Sequence, residues 1–255
     1  MSVAVSEVRH RLAGAAIALL LAGTAACSRE RVVQGECLTY NGADVCTWGR
    51  MAGSRVVAFG ATVPFKSVEN APAEMAMGWP PKADAILSLP PAVQAATGFA
   101  HLTILWEPHG HPPGPYLTPH FDFHFNMISK ADIAKIDCAD STKPAAMPAS
   151  YELPDVAIPQ LGTLIGICVP GMGMHALPTA ELHSTSLFRQ TLVVGYYHQK
   201  PIFLEPMIAR ASLLEKRTFG LDLPAVAGVQ GPAAFVARWD STAEEYQFTF
   251  RTAGS

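Results

Sequence analysis

The stretch Pro119-His120-Phe121-Asp122-Phe123-His124-Phe125 carries the densest chemistry of the chain. Read as a strand it alternates without a break. Side chains repeat every two residues, so His120, Asp122 and His124 share one face and Phe121, Phe123 and Phe125 the other. The phenylalanine row needs a core. The other row sets each imidazole one strand repeat, roughly 7 Å, from a central carboxylate. Shortly before it stands Pro108-His109-Gly110-His111-Pro112-Pro113, and six of the nine histidines lie between His101 and His175.

One chemistry open to these residues is metal binding. Histidine is the commonest protein metal ligand and suits zinc, copper, iron and nickel. A catalytic zinc takes three protein ligands and keeps a place for water. His120 and His124 share a face, His111 sits on a loop that prolines stiffen, and His175 follows the glycine-rich Gly171-Met172-Gly173-Met174. The candidate ligands are therefore His111, His120, His124 and His175. Zinc is the expected divalent ion, because the donors are N and O and the cysteines are assigned elsewhere. Asp122 either ligates or orients an imidazole. Glu205 is the best distant carboxylate, as ligand or general base. These two carboxylates are the candidate catalytic residues, moving a proton in hydrolase or lyase chemistry on a small-molecule substrate whose identity the sequence does not give.

Two other readings stand beside this one. The same row can be a metal-free acid–base site, or a buried polar network that fixes register without chemistry. The spacing matches neither a HExxH helix nor a zinc finger. Met172 and Met174 are soft copper ligands or core fillers. Ser184 and Ser186 near His183 lack the G-x-S-x-G elbow of a serine hydrolase. No glycine-rich nucleotide-binding pattern appears.

The elements that must position these residues are short. The chain has 255 residues, is 49% hydrophobic and only 15% charged, and carries 21 prolines and 20 glycines. That composition fits a folded domain of short strands and turns. With a net charge of −3 and no basic run, no nucleic-acid partner is expected. Strands are expected at Arg55–Val63, His101–Trp106 and Thr118–Ile128, with Leu102, Ile104 and Trp106 on one face, and a buried strand at Leu161–Val169. Hairpins are expected at Gln190–Tyr197 with Pro201–Ala209 and at Ala234–Trp239 with Glu245–Arg251. Short helices are expected near Ala71–Met77, from an N-cap at Ser129 through Ile136, and over Ile208–Lys216. The total, about seven or eight strands with two or three short helices, defines a single β-rich α+β domain, an antiparallel sandwich or partly closed barrel.

The N-terminus has the pattern of a signal peptide over residues 1–26: a basic start at Arg9, His10 and Arg11, then an apolar run from Leu12 to Ala22 that is too short to span a bilayer comfortably. Thr24-Ala25-Ala26-Cys27 resembles the bacterial lipobox, although Thr24 replaces the usual Leu. Lipidation at Cys27 would anchor the chain to a membrane, with residues 27–36 as cysteine and tether, Ser28–Gly35 forming the linker, and the domain proper over 37–255. Ordinary cleavage near Ala26 is the alternative. Without Cys27 four cysteines remain, an even number that in an exported chain suggests two disulfides. Of the three pairings, the nearest-neighbour one joins Cys37 with Cys46 around an Asn41-Gly42 turn, and Cys138 with Cys168.

The blocks Ile104–Pro113, Pro119–Phe125, Gly171–His175 and Phe203-Leu204-Glu205-Pro206-Met207, in this order, resemble a family of exported bacterial domains of unknown function. Its structural prototype is a ring-forming thermophile protein made under control of an envelope-stress sigma factor. The resemblance covers roughly Arg55 to Arg251. It implies a compact β-rich fold, export to the periplasm or cell envelope, and a closed homo-oligomer. It brings no established activity and no catalytic residue. Two functions are therefore expected in competition: a lipid-anchored, metal-dependent envelope enzyme, and a non-enzymatic ring-forming binding or structural protein whose histidines are a stabilising network.

Overall fold

The computed structural model describes residue 1 and residues 29–75 and 78–252. The signal segment beyond Met1, and Cys27, lie outside the described residues. In chain order the first strands are β1 (Glu30–Tyr40), β2 (Ala43–Ala52), β3 (Arg55–Pro64), β4 (Ala85–Ser88), β5 (His101–Glu107) and β6 (His120–Asn126). Short strands β7 (Tyr151–Glu152), β8 (Val156–Ile158) and β9 (Gly162–Leu164) precede β10 (Met174–Pro178), β11 (Gln190–Tyr197) and β12 (Lys200–Ala209). The chain closes with β13 (Phe219–Leu221), β14 (Pro232–Asp240) and β15 (Glu245–Thr252).

These strands build an antiparallel sandwich, not a closed barrel. One sheet has the order β1-β2-β3-β15-β14-β13, the other β4-β5-β6-β12-β11-β10-β7, and β8 and β9 form a separate two-stranded ribbon. Among the described residues five short α-helices connect them: Phe65–Glu69, Pro91–Thr97, Lys130–Ile133, Thr179–Leu182 and Arg210–Leu214. The phenylalanine row of β6 faces the space between the sheets. Phe123 meets Phe248 edge-on at 4.7 Å and Phe125 meets Phe250 at 4.9 Å, both from β15 of the opposite sheet. Leu102, Ile104 and Trp106 join the same core, as their shared face requires.

Several expectations are corrected. Residues 30–36 are not a tether but the first half of β1, hydrogen-bonded to β2 across the Asn41-Gly42 turn. β-Branched and polar residues there look like linker in isolation and become strand only because β2 supplies the partner. Residues 71–75 are not helical, and Met77 lies outside the described residues. The helix in this region runs instead over Pro91–Thr97, where Pro91 fits the first helical position and Gly98, in the left-handed region, ends it. Leu161–Val169 is not one strand: β9 stops at Leu164, and a 3-10 turn follows over Ile165–Ile167, with Gly166 at φ 59°. The Ser129 cap forms, but its helix ends at Ile133. β12 continues to Ala209, shortening the expected helix to Arg210–Leu214.

Both nearest-neighbour disulfides are present. Cys37 and Cys46 are register partners in the first hairpin, and Cys138 joins Cys168 with Cα atoms 5.8 Å apart. Two disulfides fit a compartment outside the cytoplasm. Among the described residues no helix is long and apolar enough to cross a membrane.

Candidate metal centre

Every residue of β6 is buried, so both of its faces are covered. The histidine row lies on the outer face of the seven-stranded sheet, under the proline-rich loop after β5 and the segment from β8 to β10. Register assembles the site. β5 pairs Leu105 with Asp122 and Glu107 with His120. β12 pairs Met207 with Asp122 and Leu204 with Phe125, which sets Glu205 across from His124. β11 pairs Val193 with Glu205 and Gly195 with Phe203, and β10 pairs His175 with Gly195. A Cβ at Gly195 would collide with the Phe203 ring. Glycine there lets that ring lie against His124 and His175, with centroids at 4.7 and 5.2 Å.

His111 arrives by a different route. Gly110 takes φ +66°, and any side chain on it would strike the backbone of Tyr116 and Thr118. The loop folds back tightly there, and the His111 N–H donates to the Tyr116 carbonyl at 3.2 Å. The His111 ring then meets His120 edge-on at 4.8 Å.

The four expected histidines and two carboxylates all converge, but as two sets. His111, His120 and Asp122 form one, and His124, His175 and Glu205 the other; within each set one donor atom per residue lies within 4.8 Å of the others. Period-2 alternation places His120 and His124 on one face without showing which neighbours reach each, so the sequence alone does not divide the four histidines.

Three imidazoles are oriented by the backbone. His120 Nδ1–H donates to the Thr118 carbonyl at 2.7 Å, His175 Nδ1–H to Ile167 at 2.9 Å and His111 Nδ1–H to Pro112 at 2.9 Å. Each such bond fixes the tautomer that leaves Nε2 with a lone pair, the arrangement metal-ligating histidines use. The facing atoms lie close without satisfying one another. His120 Nε2 is 3.2 Å from Asp122 Oδ1 and His124 Nε2 is 3.4 Å from Glu205 Oε2. All four atoms are buried and lack an aligned hydrogen-bond partner among the described residues, as does His124 Nδ1. Buried polar atoms normally find partners, so their shared direction toward common points fits coordination of a cation. This donor set fits a divalent metal.

The electrostatics agree. Burial, then the neighbouring His175, holds His124 down to about 3. Burial, then His120, holds His111 down to about 4. Burial also lowers His175. Burial alone would lower His120, but Asp122 outweighs it and the net direction is up. Against burial, His120 draws Asp122 down to about 2. Glu205 is pushed well up by burial and then by the neighbouring charge of Asp122.

Glu107 lies one residue beyond the strand expected at His101–Trp106. It is the last residue of β5, buried, paired with His120, and its Oε2 has no partner among the described residues. Burial, then Asp122, pushes it up to about 8. The only sequence signal was its even spacing from Leu105, and that needed the β5–β6 register to become informative. Met174 is buried in the inter-sheet core and Met172 packs on Leu105 and Val169, so a Met172–Met174 copper pair does not form. His109, His183 and His198 are surface residues beside Glu74, Glu152 and Asp140.

Above the two sets opens a cavity of about 370 Å³. Glu107, Asp122, Glu205, His111, His124 and His175 reach its floor, and Leu, Ile, Val, Met, Pro and Trp side chains form most of its walls. None of the described residues lining it is Lys or Arg. Comparison with protein-family models, curated proteins and solved structures finds no match.

Proposed function

We propose that this chain is a metal-dependent hydrolase of the cell envelope, acting on an uncharged and largely apolar molecule. The observation that carries the reading is the convergence of carbonyl-oriented imidazoles and buried, unpartnered carboxylates at the floor of an apolar cavity. The ion is zinc, held by His124, His175 and Glu205, a His₂Glu set of the kind that leaves a position open for water. A zinc ion held there would supply polarisation of a carbonyl and a water nucleophile near neutral pH. Glu107, on the same floor, carries the proton between water and leaving group. The apolar walls accept the substrate body, and the described lining residues, none of them cationic, favour a neutral substrate over a phosphate ester or carboxylate.

The N-terminal pattern supports export and anchoring through Cys27, and the family resemblance extends the proposal to a closed homo-oligomer, which solution mass would test. The decisive experiment is elemental analysis of the untagged protein from Ser28 after dialysis, with hydrolysis of uncharged aryl esters before and after chelation. At least about one zinc per chain with chelator-sensitive turnover is expected. No metal after reloading with zinc, iron, manganese or copper would leave the histidines as a structural network.

A further inference from the structure

We propose that the two His/carboxylate sets are halves of one dinuclear centre, in which Asp122 and Glu205 stand at a shared wall between two divalent ions. The inference rests on the metal-centre reading above and adds a second ion to it.

Three observations carry it. The sets are equivalent in composition, each with two imidazoles and one carboxylate whose donor atoms converge. They are not separate sites, because Asp122 and Glu205 line one cavity and stand on adjacent strands, Glu205 two residues before Met207, the register partner of Asp122. A carboxylate has two oxygens and can serve two ions, whereas one ion would leave a whole set of buried donors unmatched. His120 Nε2 and Asp122 Oδ1, 0% and 5% exposed by residue, are without aligned partners just as His124 and Glu205 are.

Charge balance accommodates the second ion: against three carboxylates one divalent ion leaves one negative charge and two leave one positive charge. Asp122, Glu205 and Glu107 place three carboxylates on one cavity floor, and none of the described residues lining it is Lys or Arg. Two divalent cations bring four positive charges, leaving one to be matched by a small anion. Paired ions of this kind clamp the attacking and leaving oxygens of a displacement. The chemical class that fits is a neutral ester or lactone with an apolar body. Water adds to the carbonyl carbon, the acyl C–O bond breaks, and the departing alkoxide takes a proton, giving acid and alcohol.

The test loads the metal-free protein with Mn(II) alone and reads stoichiometry and the paramagnetic resonance spectrum. His111 and His175 each belong to one set and are only partly buried, so His111→Ala and His175→Ala are the variants to make. About two ions per chain with a spin-coupled spectrum in the wild type, falling to one uncoupled ion in each variant, is the expected result. One uncoupled ion in the wild type overturns the dinuclear centre and leaves the metal-centre reading standing; no ion overturns both. Two ions retained by either folded variant also overturns it. The wild-type spectrum decides the matter if a variant does not fold.

Discussion

The carbonyl oxygen of Ile167 accepts from His175 Nδ1 at 2.9 Å, one residue before the cysteine that ties this segment to Cys138. The disulfide thus stands directly behind a group that aims a candidate ligand. Outer partners of this kind are worth about 10- to 100-fold in metal affinity. Replacing Cys138 and Cys168 together by Ser should weaken zinc binding by about tenfold in a dye-competition titration. The same change at Cys37 and Cys46, in the other sheet, should leave affinity unchanged. Equal losses in both pairs would mean that the disulfide acts through global stability and not through His175.

Gly195 makes a sharper claim about packing. Its missing side chain is what allows the Phe203 ring to lie against both His124 and His175. Gly195→Ala should cost about 1–3 kcal/mol by overpacking and displace the ring into the histidine pair. Zinc affinity should fall with it, and Gly195→Ala/Phe203→Leu should recover part of both. A double variant no better than the single one in a chelator-competition assay would sink this account.

The metal-free protein should show the site in its pH dependence. Histidines held below 6.5, His124 at about 3 among them, withdraw stability as pH falls below 6.5, because the unfolded chain binds the proton first. Glu107 has the opposite sign. Its pKa rises from 4.5 to about 8, so the native state keeps a proton that the unfolded chain gives up, and stability drains away as pH rises through that window. Between pH 6.5 and about 8 the lowered histidines contribute little, and the falling slope is shared by Glu107 with His120 and Glu205, which are also shifted up. Glu107→Gln should make urea-derived stability fall less steeply there, by up to about 1.4 kcal/mol per pH unit for one proton. Parallel slopes for variant and wild type would remove Glu107 from the buried acids.

How far the sequence reaches is clearest at β6. Strict alternation told which side of the strand held the core, and the ring contacts of Phe123 and Phe125 agree. The last hairpins were also legible, because each joins two runs of β-branched and aromatic residues across a short polar turn; in the first, His198 and Gln199 take φ of 48° and 62° before Lys200. What was not legible was register. Glu107 enters the site only because β5 pairs with β6 in one particular alignment, and the split of four histidines into two sets depends on where β10 and β12 lie beside them. β1 and β4 lack a strong local strand signal and form because a neighbour completes their hydrogen bonds. Long-range pairing of this kind leaves little trace in any short window.

Phe123 and His124 are adjacent in sequence and face opposite ways, which separates folding from binding in two substitutions. Phe123 is packed against Phe248, and Phe123→Ala should cost about 3–5 kcal/mol whether or not metal is present. His124 is buried with neither ring nitrogen hydrogen-bonded among the described residues, so in the metal-free protein it contributes packing but little polar stabilisation. Its removal should matter most when metal is added. Zinc at a free concentration of about 100 times its dissociation constant should stabilise the wild type by about 2.7 kcal/mol. His124→Ala should lose most of that increment, while Phe123→Ala, where it still folds, should keep it. The comparison is four melting curves, each protein with and without zinc. If His124→Ala keeps the full zinc increment, then His124 is no ligand, and the set it shares with His175 and Glu205 is a polar network holding β6, β10 and β12 in register.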